Sequence, residues 1–154
     1  MVIRPYISSD CPTLAQIYYD TIHSVCAADY TKAQLDAWAS GNVDLQVWDG
    51  YFLARHSFVA EMDGKIVGFA DMDDTGYLGR LYVHKDHQGL GIGKALCQAV
   101  EAAVDVPRYT LHASITAKTF YEKMGYRTVE SRQMPRKDQF ITIFVMEKAK
   151  ASPV

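Results

Sequence analysis

The ten residues HQGLGIGKAL, His87 to Leu96, put glycine at positions 89, 91 and 93 and lead straight into an amphipathic segment. From Ile92 the apolar residues Ala95, Leu96, Ala99, Val100 and Ala103 recur at helical spacing, while Lys94, Gln98 and Glu101 turn outward. The preceding YLGRLYV reads as a strand. A strand-to-helix loop of this kind leaves the first N–H groups of the helix unpaired, adds the partial positive charge of the helix end, and removes the Cβ atoms that would hold a ligand away. Three alternating glycines lose more backbone entropy on folding than a plain turn needs. The stretch therefore fixes a strand–loop–helix unit and suits an anion such as a phosphate.

Spacing separates the phosphate-binding patterns. G-x-x-x-x-G-K-[ST] fails, because position 88 is Gln and Lys94 is followed by Ala95. G-x-G-x-x-G belongs in the first βα turn of a parallel unit, whereas this loop follows an antiparallel meander. What remains is Q-x-x-G-x-G, met by Gln88, Gly91 and Gly93.

Around the loop, a short strand over Val2–Tyr6 precedes a helix capped by Ser9 or Asp10 with Leu14, Ile17, Tyr18, Ile22 and Val25 on its apolar side. Thr31 and Gln34 have capping-box spacing for a second helix carrying Leu35 and Trp38, ended at Gly41. FVAEM and IVGFADM flank Asp63-Gly64, a dipeptide suited to a hairpin turn, and DDTG leads into YLGRLYV. After the glycine loop and its helix come the strand YTLHAS and a helical stripe of Ala117, Phe120, Tyr121 and Met124 stopped by Gly125. The strands YRTVESR and FITIFVMEK close the chain around a charged loop at Pro135 and Lys137. The expected order is β-α-α-β-β-β-α-β-α-β-β, an α+β fold with one mixed, mostly antiparallel sheet flanked by helices on both faces. One domain is expected over 1–148, with a polar tail at 149–154.

With 16 Lys and Arg against 18 Asp and Glu, no global field draws the chain to nucleic acid or an anionic membrane, so an anionic ligand must be held locally. The N-terminus has no apolar export region and no run of about 18 apolar residues occurs, which points to a cytoplasmic protein. Cys11, Cys26 and Cys97 are odd in number and far apart, and suit reduced thiols rather than a disulfide. HKDH (84–87) lacks further clustered ligands, so no metal is expected.

The run LYVHKDHQGLGIGKAL, together with the downstream AKTFYEKMGY, resembles the GNAT superfamily of acyl-CoA-dependent N-acyltransferases. The resemblance extends from IRPY at the N-terminus to the closing hairpin. It implies acetyl-CoA as cosubstrate: backbone amides of Gln88, Gly89, Leu90, Gly91, Ile92, Gly93 and Lys94 would receive the pyrophosphate. The backbone of Leu81, Tyr82 and Val83 would pair with the pantetheine arm as an added strand does, and Ser114 would lie near the same arm. Tyr121 matches the family tyrosine near the sulfur that acts as general acid, although its stripe also suits a core aromatic.

Transfer to an amine needs that amine neutral. With a reference pKa of about 10.4, roughly one alkylamine in a few thousand is deprotonated at pH 7, a shortfall of about 4–5 kcal/mol. A base is therefore expected. Many relatives carry an acid where this chain has Gly79, so that role does not carry over. Asp71 and Asp73 share a strand face by period two and become the candidates, with His23 and His84 as alternative relays. His23, Tyr30 and Trp38 are expected at the acceptor pocket, with Trp48 a further wall; core burial is the competing reading for the aromatics. If both aspartates face that pocket, a small cationic amine is favoured. No cysteine has an assigned histidine partner, so direct attack in a ternary complex is expected rather than a covalent enzyme intermediate. A catalytically inactive acyl-CoA-binding regulatory module is the alternative, and a homodimer would be ordinary for the superfamily.

Overall fold

The computed structural model describes residues 1–150. Strand β1 (Val2–Pro5) leads through a 3-10 turn at Ser8–Asp10 into α1 (Cys11–Ser24), α2 (Lys32–Trp38) and α3 (Leu45–Leu53). The meander β2 (His56–Met62), β3 (Lys65–Met72) and β4 (Tyr77–Val83) follows. Then come α4 (Ile92–Ala103), β5 (Arg108–Ser114), α5 (Lys118–Lys123), β6 (Arg127–Arg136) and β7 (Gln139–Ala149). Seven strands form one sheet in the order β1-β2-β3-β4-β5-β7-β6, antiparallel except for the β4–β5 pair. The tail expected from 149 begins on the last residue of β7, and residues 151–154 lie outside the described residues.

Local chemistry explains most of these elements. Thr31 accepts from the Gln34 amide N–H while the Gln34 side chain accepts from Thr31 N–H, the reciprocal box expected for α2. Asp63 and Gly64 both take positive φ, 53° and 75°, and close the β2–β3 hairpin. Asp10 does something other than cap α1 with its side chain. Its carboxylate is gripped by the Arg4 guanidinium at 2.9 Å and by Ile7 N–H, which ties β1 to the start of the helix.

Two features differ from the expected order. A third helix, α3, stands between α2 and β2, and the Asp44 carboxylate accepts from Gln46 and Val47 N–H at its start. Strand β6 continues through Pro135 to Arg136, so the charged loop shrinks to a tight turn in which Lys137 takes a positive φ of 55°. Pro135 is tolerated because β6 is the edge of the sheet, where a missing N–H breaks no ladder.

The sheet buries both faces. Leu96, Cys97 and Val100 of α4 pack with Ala70, Met72, Leu78 and Leu111 on one side. On the other, Leu14 and Ile17 of α1 and Trp48 and Phe52 of α3 pack on Val59 and Phe69. All three cysteines are buried thiols.

Candidate active site

The parallel strands β4 and β5 pair only at Tyr77–Thr110 and Leu78–Leu111. Beyond these two rungs they splay, and a cleft of about 690 Å³ opens between them. Leu81, Tyr82 and Val83 form one wall, Ser114 and Tyr121 the opposite one, and Gln88, Gly89, Gly91, Gly93 and Lys94 one end. From Gly79 onward the β5-facing edge of β4 therefore has no strand partner, which is the arrangement an added extended chain needs. The Val83 carbonyl is not free. It accepts from the Thr21 hydroxyl at 3.1 Å and from the Gln88 side-chain amide at 2.7 Å.

At the loop end, Gly89 and Gly91 take φ of 75° and 81°, and Gly91 is the N-cap of α4 with no side chain capping the helix. The first N–H groups of a twelve-residue helix thus face the cleft without a protein cap. Gly93 serves a different purpose. A Cβ there would lie 3.2 Å from the Phe120 ring, so glycine lets α4 approach α5. Leu90 is exposed and its side chain does not line the cleft.

Tyr121, on α5, is 5% exposed and lines the cleft. Burial pushes its hydroxyl pKa far above the ordinary value, with Cys97, Asp71 and Tyr77 adding to the shift, so it holds its proton at neutral pH.

Asp71 occupies the middle of the sheet, fully buried. It lies between the Ala70–Leu81 and Met72–Leu78 pairs, opposite the two residues Gly79 and Arg80, so β4 is bulged at this point. Tyr51 Oη of α3 donates to Asp71 Oδ1 at 2.8 Å, the Arg55 guanidinium stands 3.9 Å away, and Oδ2 has no hydrogen-bond partner. A Cβ at position 79 would come within 2.1 Å of Tyr51 Oη and 2.5 Å of Asp71 Oδ1. Glycine at 79 thus leaves the room that this pair occupies behind the cleft wall, and Tyr51 is the member of the pair that lines the cleft. Burial raises the Asp71 carboxyl to about 6, against the opposing pull of the Tyr51 hydrogen bond and the Arg80 and Arg55 charges. A carboxyl near 6 exchanges its proton close to neutral pH, as a general base must.

Other expected residues fall elsewhere. Asp73 is a turn residue: its Oδ1 accepts from Thr75 N–H, Thr75 Oγ1 and Tyr77 N–H, and it does not line the cleft. The shared strand face is broken by the bulge opposite Asp71 and by the turn after Met72, so the two aspartates do not converge and the condition for a cationic acceptor is not met. His23 stacks on Tyr19 with ring centroids 4.2 Å apart and binds the Ala39 carbonyl at 2.6 Å, outside the cleft. Tyr30 is a structural tie, donating to the Thr142 carbonyl and accepting from Ile115 N–H. His84 accepts from Asp86 N–H in a 3-10 turn. Among the described residues no group of three or more His, Cys, Asp or Glu could hold a metal ion, and no helix is long and apolar enough to cross a membrane. Trp38 does line the cleft, and Trp48 lines a neighbouring cavity between α1, α2 and α3.

A family model of the acetyltransferase (GNAT) domain matches residues 26–150. The chain belongs to the GNAT acetyltransferase family. It is 27% identical to the N-acetyltransferase YafP of Escherichia coli K12 over 94% of this chain and 93% of that protein. It is 30% identical to the L-amino acid N-acyltransferase MnaT of the same organism over 88% and 84%. Among solved structures, a GCN5-related N-acetyltransferase from Rhodopseudomonas palustris superposes with a TM-score of 0.93 at 28% identity, covering 97% of this chain and 95% of that one. The PaiA N-acetyltransferase from Thermoplasma acidophilum, solved with coenzyme A, shares the fold at a TM-score of 0.79 and 18% identity, covering 97% and 98%. Family membership makes the chain an acyl-CoA-dependent acetyltransferase.

Sequence reasoning missed Tyr51, Arg80 and Arg136, which all line the cleft. Asp44, three residues before Val47 and four before Trp48, is a helix-start signal that would have revealed α3, and with it Tyr51.

Proposed function

We propose that the protein transfers an acetyl group from acetyl-CoA to a primary amine of a small molecule or peptide by direct attack in a ternary complex. The observation that carries this reading is one cleft lined, in order, by an uncapped helix N-terminus, an unpartnered strand edge and a proton-holding tyrosine, with a carboxyl near 6 buried behind its wall at Gly79. The residues fit the carrier: the amides at Gly91–Lys94 suit its phosphates, and the open edge of Leu81–Val83 suits its amide-bearing arm. Bound there, the carrier supplies a thioester carbonyl for the amine to attack.

The Tyr51 hydroxyl, which lines the cleft and donates to Asp71, takes the proton that the amine nitrogen loses as it passes its own to the Asp71 carboxylate behind Gly79. Tyr121 gives a hydrogen bond, and finally its proton, to the departing sulfur. Asp73, His23 and Tyr30 have no part in this scheme: Asp73 is held within its own turn, His23 binds the Ala39 carbonyl and Tyr30 ties Thr142 to Ile115. Thiol release from acetyl-CoA, followed across a panel of amines, tests the reading. Turnover should fall by about 10²-fold in Tyr121→Phe; turnover untouched by that change would remove Tyr121 from the reaction. Tight coenzyme A binding with no turnover on any amine would instead identify a carrier-binding regulatory module.

A further inference from the structure

We infer that the acceptor amine also carries a carboxylate, held between Arg80 and Arg136 at the aromatic end of the cleft. This deepens the N-acetyltransfer reading above and rests on it.

The charges at that end are cationic. Arg80 and Arg136 both line the cleft, and Arg80 also lines the adjoining cavity of about 800 Å³, whose wall adds Lys137. The acid on that second wall, Asp44, is occupied in capping α3. Asp71 lines neither space: it stands behind Gly79, where the Arg80 and Arg55 charges both act on it. Among the described residues neither Arg80 nor Arg136 forms an ion pair.

Arg80 is held as an anion-binding group should be. Its guanidinium lies 4.6 Å from the Trp48 ring centre and 4.1 Å from that of Tyr51, so the plane is fixed by stacking while Nη1 has no hydrogen-bond partner. A stacked guanidinium keeps its edge donors for a planar partner, and carboxylate matches that fork. Arg136 sits on the hairpin of β6 and β7 and donates only to the Pro135 carbonyl. Its charge reaches Tyr18, Tyr77 and His112, opposing the effect of burial on both tyrosines and lowering the histidine further. Tyr18, Tyr77 and His112 all line the cleft, which locates the Arg136 charge on the cleft side.

An ionised Asp71 offsets one of these cations; Arg136 remains uncompensated. A diamine would set its second ammonium against the two guanidiniums, whereas a carboxylate would satisfy them and leave its amine turned toward Asp71. Trp38, Met134 and Ile141 supply an apolar wall for the rest of the acceptor.

The test compares matched pairs with acetyl-CoA: phenylalanine against phenethylamine, leucine against isoamylamine, methionine against 3-(methylthio)propylamine. The acid of each pair should show kcat/KM higher by at least about tenfold, the size of a charge-assisted hydrogen bond. In Arg136→Gln this preference should collapse toward one through KM, and Arg136→Lys should restore part of it. Equal or better use of the amine lacking a carboxylate overturns the inference. If no amine is acetylated, N-acetyltransfer itself fails, and the site is read by calorimetry with phenylalanine in the presence of coenzyme A. Binding weakened about tenfold by Arg136→Gln then upholds the carboxylate site, and no heat of binding overturns it.

Discussion

At position 79 the absence of one methyl group decides what can stand beside the cleft. The space a side chain would fill is occupied by Tyr51 Oη and Asp71 Oδ1. Gly79→Ala should therefore force the pair apart, costing about 1–3 kcal/mol of stability as overpacking does; thermal unfolding measures that cost, and acetyl transfer should fall by more than stability alone explains. Asp71 makes a sharper prediction. Its carboxyl is raised from 3.8 to about 6 in the folded protein, so its stabilising contribution is present in full below about pH 4 and is lost as pH rises through 6. Two pH units at about 1.4 kcal/mol each make the buried charge a burden of ~3 kcal/mol at pH 8. Asp71→Asn should be more stable than the natural protein at pH 8, with the difference vanishing near pH 4, as denaturant titrations at the two pH values would show. The same variant should lose about 10²–10⁴-fold in kcat. The natural enzyme's pH profile should carry a shoulder near 6 that the variant lacks.

The elements were legible where their chemistry is local. The box at Thr31–Gln34, the Asp63-Gly64 turn and the amphipathic stripe of α4 announce themselves by spacing. Helix α3 does not, because LQVWDGYFL is apolar on nearly every side and carries Gly50 in its middle, so no 3.6-residue stripe emerges. That one omission hid Tyr51, the partner of Asp71. The β4 bulge is likewise invisible in YLGRLYV, since two residues opposite one is a property of the pairing and not of either strand alone. Asp71 could be suspected from its sequence position; its separation from Asp73 could not. The glycine loop is the reverse case, with its role written in the spacing. Gly91→Ala would place an L side chain at φ 81°, costing about 1–2 kcal/mol. It should weaken coenzyme A binding in calorimetry while leaving the acceptor preference unchanged.

Across the whole molecule, the carrier should act as a structural component. Coenzyme A at about 100 times its Kd adds about 2.7 kcal/mol to the folded state. For a chain of 154 residues that corresponds to a rise of roughly 5–10 °C in Tm, readable by thermal shift. No rise at millimolar coenzyme A would contradict the proposed cleft. The two rungs joining β4 to β5 give this effect a direction. Mechanically, the sheet is a pair of leaves stitched at one corner, with the carrier as the wedge that fills the gape. The amide hydrogens of Leu81 and Val83, which face away from β3, should exchange readily in the free protein and become protected when the wedge is in place, while those of β2 and β3, laced to their neighbours, should hardly change.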